Sequence, residues 1–210
     1  MRDYIFSEDK MTKRAVFLDR DGTINLDVGY AHKKSDLHLF EDFIEALKII
    51  ESLNVYIFIV TNQSGIALGK YDAPIMSEFN KSIISTCKDN NITIHGVYYC
   101  PHYDDKNFPE GYLKCDCSKP NPGLLIEASN DFSIDFKDSI IVGDQPSDIG
   151  AGISVGIENT ILVTTGIYKH NDYRNATNFE KYKSRYIVSS LLNAANIISR
   201  IVNGKNGKSP

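Results

Sequence analysis

Short apolar runs recur along the chain at Ala15–Asp19 (AVFLD), Val55–Asn62 (VYIFIVTN), Gly96–Cys100 (GVYYC), Ser139–Asp144 (SIIVGD) and Thr160–Gly166 (TILVTTG). Each is of strand length and nearly continuously apolar rather than alternating, which predicts strands covered on both faces. Between them the apolar positions recur at helical spacing. Phe43, Leu47 and Ile50 make one stripe of Asp42–Leu53, and Phe79, Ile83 and Ile84 do the same in Met76–Lys88. Pro122–Ala128 opens on a proline, which suits a first helical turn. This alternation predicts an α/β fold, a mainly parallel sheet with helices on both faces. Ligands of such sheets gather at the carboxyl ends of the strands.

The ends of the chain lack this pattern. Residues Met1–Arg14 read as a polar, poorly structured N-terminal extension, and 203–210 (NGKNGKSP) as a solvated, flexible tail. The body, 15–202, reads as one domain, as 210 residues allow. With 42% hydrophobic and 24% charged residues the composition is that of an ordinary globular protein. A net charge of −4 without a basic cluster argues against nucleic acid as a partner. No apolar run nears the roughly 20 residues of a membrane helix, and the charged N-terminus has no apolar signal core. A cytoplasmic protein without a nucleic-acid or membrane partner is therefore expected, and it is expected to be a monomer.

Polar chemistry collects where strands are expected to end. The first runs into Asp19-Arg20-Asp21-Gly22-Thr23, two carboxylates one residue apart before a glycine that permits a tight turn. Alone, that segment could be a turn or a calcium-loop fragment. The second run ends in Thr61-Asn62-Gln63-Ser64-Gly65, small donors able to hold phosphate oxygens. Lys119 offers a cation beside the proline-initiated helix, a favourable place for an anion. Asp144 and Asp148 add carboxylates after a further strand.

Cys100, His102, Cys115 and Cys117 form the pattern C-x-H-x12-C-x-C. Three thiolates and an imidazole in two close pairs are the composition of a closed structural zinc site. Free thiols with a surface histidine are the plainer alternative. Metal binding would supply order to the polar loop Pro101–Lys114, which would not pack by itself and which leads to Ser118 and Lys119. Cys87 reads as a core residue, Tyr98 and Tyr99 as packing residues, and His32, His38, His95 and His170 as surface or structural histidines.

Taken in order, DRDGT, the strand ending VTN, Lys119 and GDxxxD at Gly143–Asp148 resemble the four motifs of the haloacid dehalogenase (HAD) superfamily of phosphatases. DRDGTIN, Gly29-Tyr30, VTNQSGIALGK, YYCPH and CDCSKPNPG resemble the heptose 1,7-bisphosphate 7-phosphatase and histidinol-phosphate phosphatase group, from roughly Arg14 to Gly166. The resemblance implies a Rossmann-like HAD fold with the zinc loop in place of a large cap. It implies Asp19 as nucleophile and Asp21 as general acid and base. Mg²⁺ would be held by Asp19, the main-chain carbonyl of Asp21, and Asp144. Phosphate and substrate binding would fall to Thr61, Asn62, Gln63, Ser64, Ser118 and Lys119, with Asp27 and Tyr30 lining the entrance.

The sequence departs from the group at two points: Ser118 stands where an arginine precedes the motif lysine, and Gln145 where a lysine follows the motif aspartate. Both remove a positive charge near the phosphate sites. The expected activity is a Mg²⁺-dependent, zinc-stabilised phosphatase removing the 7-phosphate of a heptose bisphosphate on the route to nucleotide-activated heptose. Histidinol phosphate or another small phosphate monoester is the alternative substrate. A non-catalytic zinc module is the alternative of another class, disfavoured because binding alone needs no acid two residues after a nucleophile.

Overall fold

The computed structural model describes residues 1–5, 12–103, 115–166 and 180–206. The expected apolar runs form strands β2 (Ala15–Leu18), β3 (Tyr56–Asn62), β4 (Gly96–Cys100), β5 (Ile140–Gly143) and β6 (Asn159–Val163). Among the described residues two more strands, β1 (Arg2–Ile5) and β7 (Tyr186–Val188), complete one sheet of order β1-β4-β3-β2-β5-β6-β7. All neighbours pair in parallel except β1, which runs antiparallel to β4.

The strands are apolar throughout because both faces are covered. Val16, Leu18, Ile57, Ile59, Ile140 and Val142 pack on one side with helices α1 (Phe43–Glu51), α2 (Ala73–Asp89) and α5 (Leu191–Asn206). Alternate residues, Phe17, Tyr56, Phe58, Val60 and Ile141, face α3 (Gly123–Asp131) and α4 (Pro146–Ser154) on the other. α2 begins three residues before the expected Met76, because Asp72 caps it by accepting from the Ile75 amide at 2.9 Å, with Pro74 in the first turn.

Both chain ends depart from expectation. The N-terminal segment begins as a strand: β1 pairs with β4, the Met1 amino group meets Glu127 at 2.7 Å, and Arg2 pairs with Asp131. Its polar residues carry no periodic signal, since main-chain pairing holds an edge strand. At the other end α5 continues through 203–206, a stretch expected as tail; an established helix adds a residue far more easily than a new one starts. No described helix is long and apolar enough to cross a membrane.

Candidate active site

The sheet order sets the site. With β4, β3, β2 and β5 adjacent, their carboxyl ends bring Cys100, Thr61-Asn62, Asp19 and Asp144 along one rim. The Asp19 amide donates to the Val142 carbonyl at 2.9 Å, extending the pairing of β2 and β5 to the carboxylate itself. Gly22, at φ +90°, passes so close that a Cβ there would lie 2.5 Å from Asp144 Oδ2. Glycine is thus required here both for the turn and for the approach to Asp144.

Lys119 is the hub of the rim. The residue is 5% exposed, and its ammonium donates to Asp19 Oδ1 at 2.5 Å and to the Val60 carbonyl at 2.8 Å, and pairs with Asp148 Oδ1 at 2.5 Å. Burial works against the lysine's charge, but Asp148 and Asp19 outweigh it and hold the ammonium protonated well above its usual range. Asp19, 7% exposed, is pushed up to about 7, chiefly by burial, against the pull of Lys119. Burial, with Asp19 and Asp148 nearby, also drives Asp144 well above the carboxylate range.

One oxygen each of Asp19, Asp144 and Asp148 lie within 4.8 Å of one another. Three carboxylates face one ammonium, leaving two negative charges uncompensated when all ionise. Asp144 Oδ1 is buried with no hydrogen-bond partner, while Oδ2 accepts from Gln145 Nε2 at 3.1 Å. Hard oxygen donors, a surplus of two negative charges and an orphaned carboxylate oxygen fit a divalent cation such as Mg²⁺. Asp148 is the carboxylate the expected ligand set did not contain. Its oxygens take Lys119 and the Gln145 amide, the latter at 2.9 Å, so it orients the lysine and caps α4.

Asp21 points along the rim into a different environment. Its Oδ2 accepts from Arg20 Nη2 at 2.8 Å and Nε at 3.1 Å and from Gln63 Nε2 at 2.9 Å, and its Oδ1 from Asn25 at 2.9 Å. Gln63 also donates to Thr61 Oγ1 at 2.9 Å and accepts from the Tyr71 hydroxyl at 2.6 Å. A cavity of about 220 Å³ opens beside these groups, lined by Asp21, Asp27, Gly29, Tyr30, Asn62, Gln63, Ser64 and Tyr71. The expected entrance residues Asp27 and Tyr30 are thus beside Asp21. Gly29 donates to Asp27 at 2.8 Å, and Tyr30 is held at φ +58° with its ring exposed. Ser118 lies elsewhere: it is 8% exposed, receives the Asn62 amide at 3.4 Å, and is not among the residues lining this cavity. Asn62 also joins its Oδ1 to the Lys119 amide at 3.1 Å and its Nδ2 to the Lys119 carbonyl at 3.2 Å, so its side chain fixes the lysine loop.

The ligand atoms of Cys100, His102, Cys115 and Cys117 also lie within 4.8 Å of one another. Cys100 Sγ is 2.9 Å from Cys117 Sγ, and His102 Nδ1 is 3.3 Å from Cys117. Hydrogen bonding from Cys100 holds the Cys117 thiol down to about 5, and pushes Cys100 far up. Such a soft, compact donor set fits zinc. The cluster joins the rim through the main chain: the Gln63 amide donates to the Cys100 carbonyl at 2.7 Å, and the Gly123 amide to the Asp116 carbonyl at 2.8 Å. Most of the loop Pro101–Lys114, expected to be ordered by zinc, and His170 lie outside the described residues.

Cys87, Tyr98 and Tyr99 are buried as expected. His32 stacks on Tyr71 at 4.9 Å and binds the Tyr30 carbonyl at 2.7 Å, and His95 accepts from the Ile57 amide at 3.1 Å, both structural roles. The sequence reading missed Arg20, Asn80 and Tyr71. Arg20 could have been suspected, since a residue between two rim aspartates at strand spacing must turn towards the core.

Buried aspartates around a lysine at the ends of a parallel sheet define a HAD-type phosphohydrolase site, and the HAD-hydrolase-like family model matches residues 116–194. The chain is 38% identical to the D-glycero-beta-D-manno-heptose-1,7-bisphosphate 7-phosphatase of Vibrio cholerae, over 74% of this chain and 84% of that protein. It is 42% identical to the D-glycero-alpha-D-manno-heptose-1,7-bisphosphate 7-phosphatase of Photorhabdus laumondii, over 73% and 84%. The chain belongs to the heptose-1,7-bisphosphate 7-phosphatase family. Its fold matches the D,D-heptose 1,7-bisphosphate phosphatase of B. bronchiseptica complexed with magnesium and phosphate, with TM-score 0.74 and 22% identity, over 88% of this chain and 97% of that one.

Proposed function

We propose that the protein is a Mg²⁺-dependent phosphatase that removes the 7-phosphate of a D-glycero-D-manno-heptose 1,7-bisphosphate through an aspartyl-phosphate on Asp19. The observation that carries this reading is the Asp19–Lys119 pair, buried at the rim beside a cavity that Asp21 lines.

The Asp19 carboxylate attacks phosphorus, the bond from phosphorus to the C7 oxygen breaks, and its electron pair stays on that oxygen. Asp21 gives the departing oxygen a proton and then takes one from the water that cleaves the aspartyl-phosphate. The water's oxygen ends on inorganic phosphate and Asp19 is regenerated. Lys119 and Thr61 bind the phosphoryl oxygens as charge redistributes. Asp19 and Asp144, with the main-chain carbonyl of Asp21, would hold the Mg²⁺, which would supply charge neutralisation between nucleophile and phosphate dianion. Cys100, His102, Cys115 and Cys117 would hold a zinc ion, which would fix the chain running into Lys119.

Relatives are named for both anomers. Because Ser118 is uncharged and held by Asn62, the second phosphate is gripped without the arginine, and the anomer preference differs from that of arginine-bearing enzymes. A charged hydrogen bond is worth roughly 1.5–3 kcal/mol, about one to two decades in affinity. The test compares kcat/KM for both heptose bisphosphate anomers, histidinol phosphate and an aryl phosphate, then repeats the anomers with Ser118→Arg. The heptose bisphosphates are expected to be preferred, and the substitution to change the anomer ratio. Faster hydrolysis of histidinol phosphate than of either anomer would overturn the substrate assignment, and an unchanged ratio would overturn the role given to Ser118.

A further inference from the structure

Arg20 is wholly buried, although arginine is among the residues least often found so. Every contact described for it is specific. Besides Asp21, its guanidinium donates to Asn80 Oδ1 at 2.9 Å and to the Ala31 carbonyl at 3.2 Å, and it lies 4.6 Å from the Phe79 ring centre. Asn80, 1% exposed on α2, in turn donates its Nδ2 to Asp3 Oδ2 at 2.8 Å. Asp3 is half-buried in β1, the edge strand, and Asn80 is the residue that supplies its hydrogen bond. An unbroken chain of hydrogen bonds therefore runs from the N-terminal strand through Asn80 and Arg20 to the Asp21 carboxylate at the rim.

The direction of this chain is chemically fixed. A guanidinium only donates, so Arg20 requires the oxygen end of the Asn80 amide. An ionised carboxylate only accepts, so Asp3 requires the nitrogen end. Asp3, together with the Met76 Sδ that accepts from the same nitrogen at 2.8 Å, thus holds the amide in the one orientation that can hold Arg20. Arg20 and Gln63 together load Asp21 Oδ2, while Oδ1 receives Asn25 alone among the described contacts, leaving a lone-pair site on Oδ1 for a proton in transit.

We propose that Asp3 is a positioning residue for Asp21: acting through Asn80 and Arg20, the edge strand sets which carboxylate oxygen faces the leaving group. This rests on the reading of Asp21 as the general acid. Asp3 touches neither substrate nor metal, so the expected signature is a loss confined to reactions that need the proton. Heptose bisphosphate releases a sugar alkoxide and needs it; p-nitrophenyl phosphate releases a stabilised phenolate and does not. Because kcat/KM reports the steps through phosphoryl transfer to Asp19, it isolates the acid role from the later base role.

The experiment measures kcat/KM on both substrates for the full chain, Asp3→Ala, Asp3→Asn, Asn80→Leu, the Asp3→Ala/Asn80→Leu double variant, and Asp21→Asn. Asp3→Ala is expected to lower the heptose bisphosphate value roughly three- to tenfold, the worth of about one hydrogen bond, with the nitrophenyl value unchanged. Asp3→Asn, which keeps an acceptor oxygen, restores most of the loss. In the double variant Asp3→Ala adds nothing to Asn80→Leu, since both cut one chain. Equal slowing of both substrates by Asp3→Ala, or no slowing of either, overturns the proposal, as does additivity in the double variant. Asp21→Asn separates the two possible failures. If it also slows both substrates alike, the acid assignment falls and takes the proposal with it. If it spares the nitrophenyl ester while Asp3→Ala does not, only the link from Asp3 is wrong.

Discussion

The carboxylate cluster at the ends of β2 and β5 and the sulfur cluster at the end of β4 are separated by a single strand, β3. Both gather metal-ligating groups on one rim, yet they are assembled differently. The carboxylates have a counter-charge of their own, because Lys119 reaches Asp19 and Asp148 from within the fold. The thiols and imidazole instead meet one another, with the Cys117 thiol held down by hydrogen bonding first from Cys100 and then from His102 and Cys115. A cluster with an internal cation can form before its metal arrives; one built of mutually facing soft donors depends on the metal for its shape. The difference suits an exchangeable cation beside the chemistry and a resident one beside the loop that delivers Lys119.

The sharpest way to break the comparison is at Asp19. Asp19→Asn is expected to abolish turnover, since an amide cannot accept the phosphoryl group, while the fold persists because the rest of the buried rim keeps its contacts. Steady-state assays with a deamidation-free preparation, together with a thermal melt, check both halves. Substantial turnover would refute the covalent route through Asp19.

A smaller loss is expected from the sulfur side. Cys117→Ser should weaken zinc binding by more than about 100-fold, beyond the cost of losing an outer-shell partner, and reduce activity only indirectly, through the chain leading to Lys119. Elemental analysis of protein purified without added metal reads the first effect, and activity restored by excess zinc reads the second. A zinc-free wild-type protein with full activity would remove the metal from the account of this cluster.

The smallest effect is on stability against pH. Burial raises Asp19 to about 7, so the folded state holds its proton more tightly than the unfolded chain does. Its contribution to stability is therefore complete below about pH 4, the ordinary carboxylate value, and is lost as pH rises through about 7. Asp144, also raised, acts in the same sense. Without Mg²⁺, unfolding free energy should fall across this window with a slope of at most about 1.4 kcal/mol per pH unit for each proton involved. Added Mg²⁺ should flatten the slope and Asp19→Asn should reduce it. Denaturant titrations at several pH values decide this, and a slope the same in Asp19→Asn would show that Asp19 is not its source.

Much of the site was legible because it sits at strand ends, where an abrupt change from apolar to polar residues marks each position. Asp19, Asp144 and Thr61 were readable in this way, as was the Cys100, His102, Cys115 and Cys117 cluster from its paired spacing. Residues whose side chains turn back into the core gave no such signal. Arg20 and Asn80 look in sequence like a turn residue and a polar interruption of a helical stripe, and only the packing of the turn after β2 against α2 makes them partners. Asn62 and Ser118 were readable as polar rim residues, but that Ser118 meets Asn62 rather than lining the cavity itself depends on how two loops meet.

The sequence by itself determined the element types, the core-facing runs and the inventory of groups brought to the rim, since these follow from short-range periodicity and from residue chemistry. Only the tertiary structure decided which distant groups meet. Lys119 reaches Asp19 across 100 positions of chain, and Asp148 becomes its second partner because α4 starts beside the same rim. Asp3 joins the site's supporting network because β1 takes the free edge beside β4. Such pairings depend on the order of strands in the sheet, and no window of sequence contains that order. It emerges when several covered faces must be buried at once and every main-chain donor of a strand must find a partner.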